Sequence, residues 1–348
     1  MSVRFASVQV GILGLCLLAS SFAAQAAEKR LDRTFSVSPG GRLTIDSDGS
    51  DLRVEGTSGN QVEVHILVKG SDRVLERMEL TAEQSGNDVS VMAKRNTGKW
   101  TDFFGSWSQE GRVEVKVPHN YNIDIRTAGG DIVVGQLQGD ARGKTSGGDI
   151  KVTELRGPVE MQTSGGDIRA EQIEGNTRLG TSGGDVDVAR LTGDLDAKTS
   201  GGYIHLSDIS GKVVARTSSG NVIASGIRGD SDLKTSGGDI RATIDGKIAA
   251  HTSGGNVTAE LIGANRGISV SSSGGDLVVR VPKDTAGALD ASTSGGSVRT
   301  DIPVTTTEMG EHKLTGTFNG GGNAIYARTS GGSIKVVAST GAGTDVEK

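Results

Sequence analysis

Through the middle of the chain the apolar residues fall in short runs of alternate positions, broken at a fixed interval by glycine. Ile150, Val152, Leu155, Val159 and Met161 are followed one unit later by Ile168, Ala170, Ile173, Thr177 and Leu179. Spacings of two dominate, the period at which side chains on one face of a strand recur, and no run shows the three-and-four spacing of an amphipathic helix. Each unit therefore predicts two or three short strands. The alternation breaks at the phrase Thr-Ser-Gly-Gly-Asp and again at Gly139, Gly157, Gly175, Gly193, Gly211 and Gly229, which marks these as corners.

The phrase recurs from Thr127, Thr145, Thr163, Thr181, Thr199, Thr217 and Thr235 at a strict 18-residue interval, then loosens to starts at Thr252, Ser272, Thr293 and Thr329. A fixed short period is the signature of a solenoid, in which each unit packs only on its neighbours. The expected fold is all-β: a single-stranded β-solenoid, β-helix-like, with about 18 residues per turn. About eleven turns at an inter-strand spacing of roughly 4.8 Å give a rod on the order of 50 Å long. Like positions then stack into ladders, aliphatic inside and polar outside, such as Lys151, Arg169, Asp187 and His205 along one outer column of mixed sign.

Residues 27–126 are less regular and predict a β-rich cap with the first rungs, closing the open end of the solenoid proper at 127–337. Within the cap, residues 42–56 read as an early rung, 61–70 as a buried strand and 71–78 as a short helix capped by Ser71. Residues 78–95 read as a hairpin-like pair. Residues 298–337 mix a loop or hairpin with the final turns, and 338–348 are expected to be a disordered tail.

Composition narrows the class. The chain has 54 glycines but only 5 prolines, which suits turns and excludes collagen; aromatics are 3%, so the core must be thin and aliphatic. Residues 1–26 read as a secretory signal peptide, with Arg4, an apolar run from Val8 to Phe22 and small residues ending at Ala26. Its removal would take away Cys16, the one cysteine, so no disulfide is expected in the exported chain. Beyond that leader no apolar run is long enough for a transmembrane span. A formal net charge of -5, one unit more negative without the leader, gives no reason to expect nucleic acid or anionic lipid as a partner.

The repeated polar positions are the first candidates for chemistry. The phrase-opening Thr shares the parity of the inner aliphatics. It should point inward, its hydroxyl bonding a stacked neighbour or the corner backbone. The residue after the glycine pair forms a column that includes Asp149, Asp167 and Asp185. Stacked carboxylates of this kind bind calcium in glycine-aspartate nonapeptide repeats, which makes these three the candidate metal ligands. The column also accepts Tyr203, Asn221 and Ser297, and only one Gly-Gly-Asp occurs per eighteen residues, so turn chemistry is the expected role and no metal or other cofactor is assigned.

The five histidines lie far apart without metal-ligand spacing, and no catalytic residue is assigned. Trp100, Phe103, Phe104 and Trp107 fall within eight residues. They either plug the end of the core or form an exposed contact for a protein, glycan or membrane partner.

The leader, the strand ending in Val-Lys-Val-Pro at 115–118, the phrase turns, and residues 278–282 leading to 293–304 together resemble the bacterial putative-adhesin family of β-strand-repeat envelope proteins, a domain of unknown function. The resemblance spans about residues 31–337. It implies an exported β-solenoid with an adhesin-like role and brings no catalytic residues to carry over. The expectation is a non-enzymatic scaffold of the periplasm or cell surface, presenting ladders and loops to an envelope component, protein or glycan. The alternatives are a β-helix carbohydrate-active enzyme, a polysaccharide lyase or hydrolase, and a calcium-binding repeat protein.

Overall fold

The computed structural model describes residues 27–96 and 110–339. Two long sheets face each other, one of 15 strands and one of 16, and the chain passes from one to the other and back in every turn. A middle turn shows the plan. The seven-residue strand Ile150–Arg156 lies in the first sheet, a corner at Gly157 leads to the four-residue strand Val159–Gln162 in the second, and the phrase at Thr163 returns the chain to Ile168–Glu174. Each strand pairs in parallel with its counterparts one turn before and one turn after, like on like: Ile150 with Ile168, Val152 with Ala170, Leu155 with Ile173. The corners pair as well, with Gly157 N–H donating to Glu174 O at 2.9 Å and Thr163 N–H to Gly180 O at 2.9 Å.

The core is the narrow space between the sheets, and every inner position read from the alternation is buried there, Thr177 included. It holds almost only aliphatic side chains, and small residues admit large ones. A Cβ on Gly143 would lie 2.5 Å from Met161 Sδ.

The longer strands are bent. Gln136, Glu154, Gln172, Arg190 and Asp208, at the same place in five successive turns, have φ between 54° and 58°, and Gly226 follows at 66°. A left-handed residue without glycine carries strain of order 1 kcal/mol. It reverses the parity of the strand, so the inner residues fall at intervals of two and then three, as Ile150, Val152 and Leu155 do. In the next turn the bend is gone: register shifts between Ala224 and Ile227, and Ile240, Ala242 and Ile244 lie in plain alternation. Omitting that one residue shortens the turn that opens at Thr235 to 17.

The order of turns in space departs from their order in sequence at both ends. The last turn, Ala324–Arg328 and Ile334–Ala338, inserts between the turn of Leu277–Val281 and the earlier-made turn of Gly287–Ser292 and Val298–Thr300. The double gap between Thr293 and Thr329 is filled by this excursion, which includes the antiparallel strands Thr305–Met309 and Lys313–Phe318. At the other end, Arg42–Ser47 and Asp51–Thr57 likewise lie between Asp88–Arg95 and Glu110–Pro118 on one side and the first phrase-bearing turn on the other.

Antiparallel strands cover the N-terminal end. Gln61–Gly70, with one face buried, pairs with both Ala27–Ser36 and Glu110–Pro118, and Met78–Ser85 pairs with Asp88–Arg95. Asp72–Arg77 forms the expected helix, burying Val74 and Leu75, but the Ser71 side chain makes no capping bond; its carbonyl receives the first N–H groups instead. The segment expected to be a tail from 338 loses its first residue to the strand Ile334–Ala338, while 340–348 lie outside the described residues, as does the leader 1–26.

The two glycines of the phrase are not equivalent. A Cβ on Gly166 would lie 2.2 Å from Gly148 O, whereas one on Gly165 would be 3.5 Å from its nearest neighbour, Gly147 O. Ser219 occupies the first site in one turn, as that geometry allows. Gly166→Ala should therefore destabilise by about 2–3 kcal/mol and Gly165→Ala by less than about 1 kcal/mol, compared by urea midpoints.

Tyr121, in the first turns, is buried with its hydroxyl donating to Asn87 O. Burial, then the charge of Asp88, pushes its pKa from 10.0 up to about 12. The neutral phenol is thus favoured in the folded state. Its contribution is fully present below about pH 10 and is lost as pH rises through about 12. Tyr121→Phe should flatten the fall in stability over that window in urea titrations.

Candidate binding surface

Each phrase-opening Thr is a two-way clamp. Thr163 Oγ1 donates to Gly148 O of the preceding turn at 2.9 Å and accepts the N–H of Gly166 in its own corner at 3.3 Å. The same pair recurs from Thr145 to Thr329, with donor distances of 2.7–2.9 Å, and Ser272 replaces Thr without losing either bond. The inward side predicted for this column is the one observed.

The aspartate column does equivalent work on the outside. Asp149 Oδ1 accepts the N–H of Asp167, Asp167 Oδ1 that of Asp185, and Asp185 Oδ1 that of Tyr203, at 2.8, 2.8 and 2.7 Å. Asn221 and Asn256 serve as acceptors too, which accounts for the column's tolerance of amides. A carboxylate that receives a backbone N–H in every turn is an architectural group first. No group of three or more His, Cys, Asp or Glu placed to hold a metal ion occurs among the described residues. After the second corner a similar column runs through Asn122, Asp140, Asn176, Asp194 and Asp230. Pro158, which has no N–H to donate, sits in it above Asp140.

The histidines stay apart, each with its own neighbour: His65 with Asp32, His119 with Gln136 O, His205 with Asp187, His251 with Ser271 and His312 with Gly296 O. The outer column of Lys151, Arg169, Asp187 and His205 stacks in register as read from the sequence. Asp187 lies between Arg169, at 3.1 Å, and His205, at 3.2 Å, and the His205 ring lies nearly parallel to that of Tyr203, 17° apart with centroids separated by 6.1 Å. Arg169, Asp187 and His205 line a shallow depression with Ile223 on the outer face of the long strands. Trp100, Phe103, Phe104 and Trp107 lie outside the described residues, in the connection between Asp88–Arg95 and Glu110–Pro118.

Residues 41–226 and 210–337 each match the family model Toastrack DUF4097. The chain belongs to the Toastrack DUF4097 family. Solved structures similar to this Toastrack chain include a putative adhesin from Bacteroides fragilis, 12% identical, covering 88% of this chain and 97% of that one with a TM-score of 0.29. A putative lipid binding protein from Parabacteroides distasonis is 13% identical, covering 88% and 96% with a TM-score of 0.36. A putative cell adhesion protein from Clostridium sporogenes is 14% identical, covering 89% and 100% with a TM-score of 0.20. No curated protein matches the chain.

Thr163→Val keeps the shape of the Toastrack clamp but leaves Gly148 O and Gly166 N–H without the hydroxyl, and should cost about 1–3 kcal/mol. Thr163→Ser keeps both bonds and should cost about 1 kcal/mol for the lost methyl. Thermal or urea denaturation of the two variants checks the order.

Proposed function

We propose that the protein is an exported, non-enzymatic scaffold that presents the outer faces of its rod to a component of the bacterial envelope. One observation carries this reading: the repeated groups that suggest chemistry are engaged in holding turn to turn. The Thr hydroxyls bond corner carbonyls and amides, and the Asp carboxylates receive the next turn's N–H. What a partner meets is a stiff face of outward side chains repeating at roughly 4.8 Å. Pre-ordered surface of this kind lowers the entropy lost on binding, which suits adhesion to an extended or repetitive partner. The leader at 1–26 and the Toastrack membership fit an envelope location.

The purified chain should co-sediment with isolated bacterial envelope fractions without releasing reducing ends or unsaturated sugars from their polysaccharides. Product release would replace the scaffold with a carbohydrate-active enzyme. A rise in melting temperature in micromolar calcium, with several ions bound per chain by isothermal titration, would instead make it a calcium-binding repeat protein.

A further inference from the structure

The outward residue that ends each short strand stacks in strict register along the second sheet, Lys198 on Arg216, Arg216 on Lys234 and Lys234 on His251. From Arg126 to Arg328 this column contains no carboxylate, in a chain whose formal net charge is -5. Like charges one strand spacing apart repel. The neighbouring column avoids this by alternating Arg142, Glu160, Arg178 and Asp196. In the central turns only Asp196 and Asp232 offset the cations: Lys198 lies 2.9 Å from Asp196, and Arg216 and Lys234 lie 2.7 and 3.1 Å from Asp232. Beside them Ser200, Ser218, Ser236 and Ser253 contribute one hydroxyl per turn to a shared groove of about 460 Å³.

A second, independent feature falls on the same turns. The aspartate column loses its charge at two successive turns there, Tyr203 and Asn221, and regains it at Asp239. Asp185 still receives the N–H of Tyr203, but a phenol standing in this column offers no carboxylate or amide oxygen to the turn above. The exchange gives up a ladder acceptor and gains a ring 46% exposed to solvent, at the corner that Lys198 opens.

From this coincidence we infer that the corner spanning residues 198–253 binds a linear acidic polysaccharide, with carboxylates of the sugar chain on the Lys and Arg column, sugar hydroxyls on the serines, and a pyranose face against Tyr203. This deepens the scaffold reading and rests on it. A straight single row of cations with a hydroxyl at every step matches one extended chain bearing charge and hydroxyls on every unit. The cations and hydroxyls recur once per strand spacing, roughly 4.8 Å. Duplex DNA instead places a negative charge about every 1.7 Å of axis and carries no free hydroxyls along its strands. Exposed ion contacts of this kind weaken with salt, and an aromatic ring adds apolar contact that salt does not screen.

The test is fluorescence anisotropy of end-labelled polygalacturonate with the purified chain, alongside neutral dextran and a DNA duplex of similar length. The expected result is salt-sensitive binding to polygalacturonate, much weaker binding to DNA and none to dextran. The triple variant Lys198→Gln, Arg216→Gln, Lys234→Gln should bind about tenfold more weakly. Tyr203→Ala, which leaves the charge unchanged, should bind about threefold to tenfold more weakly. Arg53→Gln, Lys69→Gln, Arg73→Gln together, an equal charge loss on the N-terminal cap, should bind as the parent does.

Absence of polygalacturonate binding, equal loss in both triple variants, or DNA bound as tightly as polygalacturonate would overturn the inference. Any of these with envelope co-sedimentation retained leaves the scaffold reading standing. Depolymerisation of polygalacturonate would overturn the scaffold reading whatever the affinity. Tyr203→Ala keeps the site testable should the charge variant fail to fold.

Discussion

Parallel pairing between successive turns is the constraint on which the rest of this molecule depends. Each middle turn finds partners for its backbone only if the next turn repeats its path one strand spacing away, so strand lengths, corner positions and registers must all recur. Gly157 and Gly166 follow directly: a Cβ on them would lie only 2.3 and 2.2 Å from the corner carbonyl oxygens of the preceding turn. So do the clamps, since a corner has amides and carbonyls that the strands cannot satisfy and that Thr163 and Asp149 reach. The repeated phrase is what pairing requires at a turn.

Much of this was legible in the sequence because period-two burial and a fixed repeat are local signals. The inner residues, the inward Thr and the corner role of the glycines all follow from parity. The bend at Glu154 was harder to see, since a left-handed residue here is Gln, Glu, Arg or Asp and carries no glycine mark. Its trace is the interval of three between Val152 and Leu155 and the missing residue in the turn after Thr235. Insertion of the last turn beneath an earlier one left only a doubled gap, because a repeat count records how many turns there are and says nothing of their order in space.

The binding surface was less visible for a different reason. Asp149, Asp167 and Asp185 stood out because the motif repeats, and repetition is what an architectural group shows. The cationic column holds the residue just before each phrase, and because that residue changes type from turn to turn, Lys198, Arg216, Lys234 and His251 stand out as one row only when the turns are stacked. Charge summed along the chain hides such a row, since the acidic corner column outweighs it.

In a fold built by copying, departures from the copy carry information that the copies do not. Ser219 for glycine is permitted by open space, and Asn221 for aspartate keeps the acceptor, so neither disturbs the ladder. Tyr203 is of another kind, since it supplies no ladder acceptor in a position where Asp, Asn and Ser all can. It also lies in the turn where like-charged residues begin to stack without interruption. A lost ladder acceptor and an unbroken run of cations meet at one corner, whereas elsewhere the same column is broken by Gln162, Gly180 and Ser271. The same stacking that makes most of the surface uniform thereby gives one stretch of it a distinct chemistry.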